Sequence, residues 1–268
     1  TCPGFGSVAK YIAVATREAG LDVASMAETS TRVFILETMG RHAGWIAASS
    51  ALAREQPDDP PHVILLPEVA FDEQGFLDRV RETVERIGYC VVVVSEGVAR
   101  ADGRFLADQG TRDAFGHAQL GGVAPVVAAM VRDHLGYKFH YAIADYLQRA
   151  ARHIASATDV EQAHALGRAA VELALAGRNA VMPSIVRESD DPYRWRIGEV
   201  ALEAVANREA KMPAEYIDAS GFFVTEAALR YLRPLIAGED YPPYRAGLPA
   251  YARLRGERVA QRLAAFRA

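Results

Sequence analysis

Residues 33–36 read Val-Phe-Ile-Leu, four consecutive apolar residues rich in β-formers. Such a run predicts a strand buried on both faces, the kind found in parallel sheets covered by helices. Residues 43–53 are dense in Ala and other small residues and predict a closely packed helix. Met39-Gly40-Arg41 is the turn between them, where the carboxyl end of a strand meets the amino end of a helix. In an open α/β sheet this is the usual ligand position. Gly40 lets the backbone approach a ligand or take a positive φ. The N–H groups and dipole of the helix start favour an anion, and Arg41 adds a planar guanidinium suited to phosphate. The same spacing also fits an ordinary β-turn-α unit with a solvent-facing Arg. Gly40-x-x-x-Gly44 matches neither the Walker loop nor the dinucleotide fingerprint.

The rest of the chain extends this pattern. Pro3-Gly4-Phe5-Gly6-Ser7 predicts a loop in which Ser7 caps a helix running to about Met26. A phosphate cradle at Gly4 and Gly6 is the other reading. Residues 57–61 are a turn, residues 62–67 a short buried strand with Glu68 at its end, and residues 72–88 an amphipathic helix closed by Gly88. Residues 89–94 are a second continuous apolar strand. Glu96 follows at its carboxyl end, either as an acceptor for sugar hydroxyls or as a solvated side chain. Residues 99–118 predict a long surface loop, a lid over the site. Residues 119–135 predict a helix in which Pro125 marks a late start or a kink. Residues 139–143 predict a strand. Tyr146 and Arg149 are three apart, so a helical turn sets a hydroxyl and a guanidinium on one face; a plain surface pair fits equally. Residues 158–177 predict a helix capped by Thr158 or Asp159, residues 180–186 and 194–200 a strand pair, and residues 214–237 a helix-containing segment. The C-terminal stretch predicts a basic amphipathic helix.

The run from Arg32 to Ala53 closely resembles the Met-Gly-Arg segment of the phosphofructokinase family, and the preceding TCPGFGSVAKYIAVATREAGLDVASM is most like its pyrophosphate-dependent branch. The resemblance implies an α/β, phosphofructokinase-like fold: a parallel sheet flanked by helices, a sugar-binding lobe and parts of a second lobe. It implies a fructose 6-phosphate lobe over residues 1–149, a segment returning to the phosphoryl-donor lobe over 150–213, and a C-terminal packing segment over 214–268. The activity it implies is glycolytic: transfer of a phosphoryl group from pyrophosphate to the 1-hydroxyl of fructose 6-phosphate. On that resemblance Met39, Gly40, Arg41, Glu96, Tyr146 and Arg149 bind the acceptor sugar phosphate. Arg32 and Lys138, with His140 as the alternative to Lys138, reach the site of a neighbouring chain in a homodimer or larger assembly. Tyr146 stands where ATP-dependent members typically carry His, which favours the pyrophosphate branch. Mg2+ is implied, with its ligands outside this sequence. The donor loop and the catalytic base lie ahead of Thr1 in the family, so no catalytic residue is identified. The expectation is a fragment with little or no activity alone. A non-catalytic sugar-phosphate-binding or regulatory subunit and an ATP-dependent enzyme are the alternatives. A nicotinamide enzyme lacks its glycine fingerprint here.

Composition limits the partners. A net charge of −4 over 268 residues argues against a general nucleic-acid or anionic-membrane surface, so any phosphate site is a local cluster of Arg and Lys. No apolar run has membrane-spanning length. The two cysteines, Cys2 and Cys90, form no disulfide framework, and Cys90 reads as a buried thiol; a reducing cytoplasm fits. The seven histidines show no metal spacing. Met39 shapes the pocket or fills core, and His42 assists phosphate or caps the helix.

Overall fold

The computed structural model describes residues 2–112, 118–120, 122–253 and 255–264. Its element order is α1 (Phe5–Met26), β1 (Val33–Thr38), α2 (Trp45–Ser49), β2 (Val63–Leu65), α3 (Glu73–Ile87), β3 (Cys90–Ser95), β4 (Asp108–Arg112), β5 (Ala118–Leu120), α4 (Val123–Leu135) and β6 (Phe139–Ile143). There follow α5 (Leu147–Ala150), α6 (Ala157–Leu175), β7 (Val181–Asp190), β8 (Tyr193–Ala201), α7 (Leu202–Val205), α8 (Glu226–Leu232), β9 (Tyr244–Arg245) and β10 (Leu248–Pro249).

Four strands form a wholly parallel sheet in the order β2-β3-β1-β6. Side chains alternate across each strand, so each apolar run supplies two cores. Val33, Ile35, Val63, Leu65, Cys90, Val92 and Val94 face α3 and α4, meeting Phe76, Leu77, Val80, Val127 and Val131. Leu36, Ile64 and Val93 face α1 and α2, meeting Ile12, Ala47, Ala48 and Ala51. Small alanines bring α2 close to the sheet. In α1 the buried residues Ala9, Ile12, Ala13, Thr16, Gly20 and Val23 make one stripe at helical spacing. The continuous apolar strands and the three-layer α/β arrangement are as the sequence predicts. Cys90 is fully buried, and burial pushes its thiol up to about 12. No helix among the described residues is long and apolar enough to cross a membrane.

Outside this unit, β7 and β8 form an antiparallel hairpin in which Ile185 pairs with Ile197. It packs against α6, with Gln162 Nε2 donating to the Tyr193 hydroxyl at 2.8 Å. Arg187 joins the hairpin to α8: its guanidinium lies 4.4 Å from the Tyr231 ring and donates to the Tyr231 carbonyl.

Several local expectations are corrected. The helix over residues 43–53 is shorter, Trp45–Ser49, and passes into a tighter 3-10 turn at Ser50–Ala53. The hydroxyls of Ser49 and Ser50 donate back to the carbonyls of Ile46 and Ala47 at 2.6 Å, drawing the chain into that turn. Ser7 is not the cap of α1. The Asp159 carboxylate accepts from Gly4 N, Ser7 N and the Ser7 hydroxyl, so the protein itself fills the place that the alternative reading gave to a phosphate. Asp159 is thereby drawn away from its own helix, and Ser156 caps α6 instead. Residues 99–118 are not a bare loop: Ala99 pairs with Phe105, and β4 pairs with β5. Residues 113–117, within the expected lid, lie outside the described residues. No helix forms among the described residues of the C-terminal stretch. Val259 and Leu263 are 85% and 83% exposed there, and an apolar helix face with nothing to bury against gains no stability.

Candidate functional site

The turns after β1, β3 and β6 lie side by side, because the strands that deliver them are neighbours. They carry Met39-Gly40-Arg41, Glu96 and Tyr146–Arg149. Two non-glycine residues here have left-handed backbones, Arg41 at φ 44° and Asp145 at φ 39°. Such conformations cost of order 1–3 kcal/mol and persist where surrounding structure enforces them, often at binding sites.

The enforcement at Arg41 comes from Glu96. Its Oε1 accepts from Gly40 N at 3.1 Å and Arg41 N at 3.2 Å. Gly97 completes the seat: a Cβ placed there would fall 1.2 Å from the Arg41 carbonyl oxygen. Its lack of a side chain leaves room for the protein's own turn. Glu96 likewise gives one oxygen, Oε1, to the backbone.

The backbone N–H groups of the turn ahead of α2 are largely bonded within the protein. Gly40 and Arg41 donate to Glu96, Ala43 N donates to the Gly40 carbonyl, and Gly44 N donates to both oxygens of Glu68 at 2.9 and 3.1 Å. A Cβ on Gly44 would come within 2.7 Å of Glu68 Oε2, so only glycine admits that carboxylate.

Arg149 and Tyr146 do meet. The guanidinium sits over the phenol ring at 4.3 Å, both residues exposed on the turn that Asp145 starts. Tyr146 is the residue before α5 and Arg149 lies in its single turn. Met39 is half-buried beside Gly40. His42, next to Arg41, bonds Glu209 through Nδ1 at 2.7 Å and stacks on Phe105. That bond holds the Glu209 carboxyl below its ordinary value.

Arg32 and Lys138 are not brought to this edge. Arg32 N donates to the Lys138 carbonyl at the amino ends of β1 and β6. β1 is six residues long, so these side chains start roughly 20 Å from the turn after β1, at about 3.3 Å per residue. Lys138 Nζ donates to the Ser30 hydroxyl and Arg32 lies 6.0 Å from the Tyr137 ring. His140 is exposed on β6.

Two carboxylates beyond the sequence-based candidates build the site. Glu37 is 2% exposed within β1 and caps α4, accepting from Gly122 N at 2.9 Å and Ala124 N at 2.8 Å. Burial pushes its carboxyl up; the backbone N–H groups pull it back down, and the nearby Glu96 charge adds to the rise. An acid inside an apolar strand was the available signal. Glu68 is the other, and its second partner, Met212 N at 2.9 Å, lies 144 residues away. These strand-end carboxylates hold backbone rather than cation. Among the described residues no three His, Cys, Asp or Glu side chains converge as metal ligands.

At the opposite, amino end of the sheet, Arg54, His62, Arg79, Thr83 and Arg86 line a cavity of about 190 Å³. Its cations serve the fold: Arg54 donates to the carbonyls of Asp59 and Pro61 and lies on the Phe223 ring, and Arg86 pairs with Asp58. His62 Nδ1 accepts from Val91 N, so Nε2 carries the proton and donates to the Asp58 carbonyl. Burial pushes His62 down to about 4.

Comparison with known proteins agrees with this fold. Residues 1–174 match the family model described as Phosphofructokinase. The chain is 63% identical over 264 residues to the pyrophosphate–fructose 6-phosphate 1-phosphotransferase of Methylococcus capsulatus, covering 98% of this chain and 63% of that protein. Among solved structures, it is 56% identical to the pyrophosphate-dependent phosphofructokinases of Marinobacter aquaeolei (TM-score 0.88; 98% of this chain, 62% of that one) and Nitrosospira multiformis (TM-score 0.89; 99% and 63%). The chain thus spans somewhat under two thirds of the length of these relatives.

Proposed function

The chain belongs to the phosphofructokinase family, and we propose that it supplies the acceptor site for phosphoryl transfer from pyrophosphate to the 1-hydroxyl of fructose 6-phosphate. The observation that carries this reading is the pair of strained turns at the ends of adjacent strands, one presenting Arg41 and the other Tyr146 and Arg149. The names of relatives at 63% and 56% identity support pyrophosphate as donor over ATP.

In this proposal Arg41 and Arg149 neutralise the 6-phosphate, and Tyr146 adds a hydroxyl donor. Glu96 Oε2 accepts from sugar hydroxyls while Oε1 fixes the turn. Met39 and Gly40 shape the wall beside the ring. Arg32 and Lys138, remote from this site within the chain, serve the site of a second copy in a homodimer or larger assembly. Phosphoryl transfer depends mostly on positioning and charge neutralisation, and these residues do the acceptor's share of both.

Steady-state kinetics of the complete enzyme carrying Arg149→Ala test the reading. A charge-assisted hydrogen bond is worth about 1.5–3 kcal/mol, so acceptor kcat/KM should fall about tenfold or more. Unchanged KM and kcat would reject the assignment.

A further inference from the structure

Residues 209–212, between α7 and α8, lie along the outside of the Arg41 turn and bond to it at successive positions. Glu209 bonds His42, the Ala210 carbonyl accepts from Trp45 Nε1 at 2.7 Å, and Met212 N donates to Glu68 Oε1. Met212 is 4% exposed and packs in the core with Ala47, Ala48 and Leu36. Trp45 is also set against the rings of Tyr216 and Tyr231, and Tyr231 in turn touches Arg187 of the hairpin.

Glu68 is where this segment and the turn join. One oxygen, Oε1, accepts from Gly44 N and from Met212 N, both at 2.9 Å. Glu96 holds the turn from the sheet side and Glu68 holds it from the outside. Without Glu68, Gly44 and Met212 each lose their partner at the same point. Residues 42–44 would then be free to drift with the segment, and Arg41 with them.

We propose that Glu68 is a positioning residue for sugar-phosphate binding, acting through residues 209–212, which strap the Arg41 turn in its binding shape. This rests on the acceptor-site reading above. Glu68 contacts no substrate; it reduces the ordering that binding would otherwise require.

Fructose 6-phosphate affinity, measured by calorimetry on the complete enzyme at a temperature well below unfolding, tests the idea. Trp45 emission is followed in a Trp195→Phe background, which leaves Trp45 as the one tryptophan of residues 1–268. Glu68→Ala should raise Kd about tenfold and shift Trp45 emission to the red. Glu68→Gln keeps one carbonyl oxygen for the two N–H groups and should restore Kd to within about threefold. Trp45→Phe removes the bond to Ala210 and part of the ring packing on Tyr216 and Tyr231, and should raise Kd about threefold, giving a second route should Glu68→Ala fold poorly. Val80→Ala, a core truncation on the far face of the sheet, should lower stability and leave Kd alone. If Glu68→Ala and Trp45→Phe bind like wild type, this inference is overturned while the acceptor site stands. If wild type binds and Arg41→Ala binds equally tightly, the acceptor-site reading falls and takes the inference with it.

Discussion

The two ends of the parallel sheet turn the chain by different means. At the amino end, the turns into β3 and β6 use Gly88 at φ 90° and Gly136 at φ 67°, residues that take left-handed backbones without penalty. At the carboxyl end, the turns out of β1 and β6 put Arg41 and Asp145 into the same region. Where only chain direction matters, glycine serves. Where the turn must present a side chain, strain is tolerated and carboxylates anchor the backbone. The polar groups differ as well. A neutral His62 closes the amino end, whereas Glu37, Glu68 and Glu96 hold pairs of N–H groups at the carboxyl end.

The contrast breaks most visibly at Gly97→Ala. The added methyl meets the Arg41 carbonyl, so the turn must move. Denaturant titration should show a loss of about 3 kcal/mol or more, with fructose 6-phosphate binding abolished.

Next comes pH, where the ends respond with opposite sign. The unfolded chain takes up a proton at His62 near pH 6.5 and the folded chain only near 4, so stability falls through that window as pH drops, by roughly 2–3 kcal/mol. Glu37 works the other way. Its folded value lies above 4.5, so the folded state takes up the proton first and stability is gained as pH falls through that interval. Unfolding free energies between pH 7 and 4 should flatten with His62→Gln and steepen with Glu37→Gln.

Gly88→Ala should cost about 1 kcal/mol for the left-handed backbone alone, since no atom lies near its Cβ position, and substrate affinity should not change. Asp145→Gly sharpens the comparison from the other side. It relieves strain and should raise stability by about 0.5 kcal/mol, while loosening the turn that carries Tyr146 and Arg149 and weakening sugar-phosphate affinity by a few-fold. A melting curve and a binding isotherm on each variant check both pairs.

The strands were legible because a run such as Val33–Leu36 leaves no polar face, and α3 because Asp72 and Gly88 bracket it as caps. Gly40, Arg41, Tyr146 and Arg149 stood out by type and spacing. The anchors did not. Nothing local tells that Glu68 meets Met212 or that Asp159 meets Gly4 and Ser7, because those bonds depend on how distant segments pack. The same blindness produced the errors at the caps: Ser7 and Asp159 have the right chemistry to cap their own helices and bond each other instead. Among the described C-terminal residues the expected helix is missing for the complementary reason, a good local pattern whose apolar side chains are left exposed.

A crystal structure with fructose 6-phosphate bound tests the central claim most directly. The account predicts the phosphate ester at the carboxyl ends of β1 and β6, with the Arg41 and Arg149 guanidinium groups and the Tyr146 hydroxyl in hydrogen-bonding contact. A phosphate found instead among Arg54, Arg79 and Arg86 at the amino end, with Arg149 still over the Tyr146 ring and no ligand beside it, would contradict it.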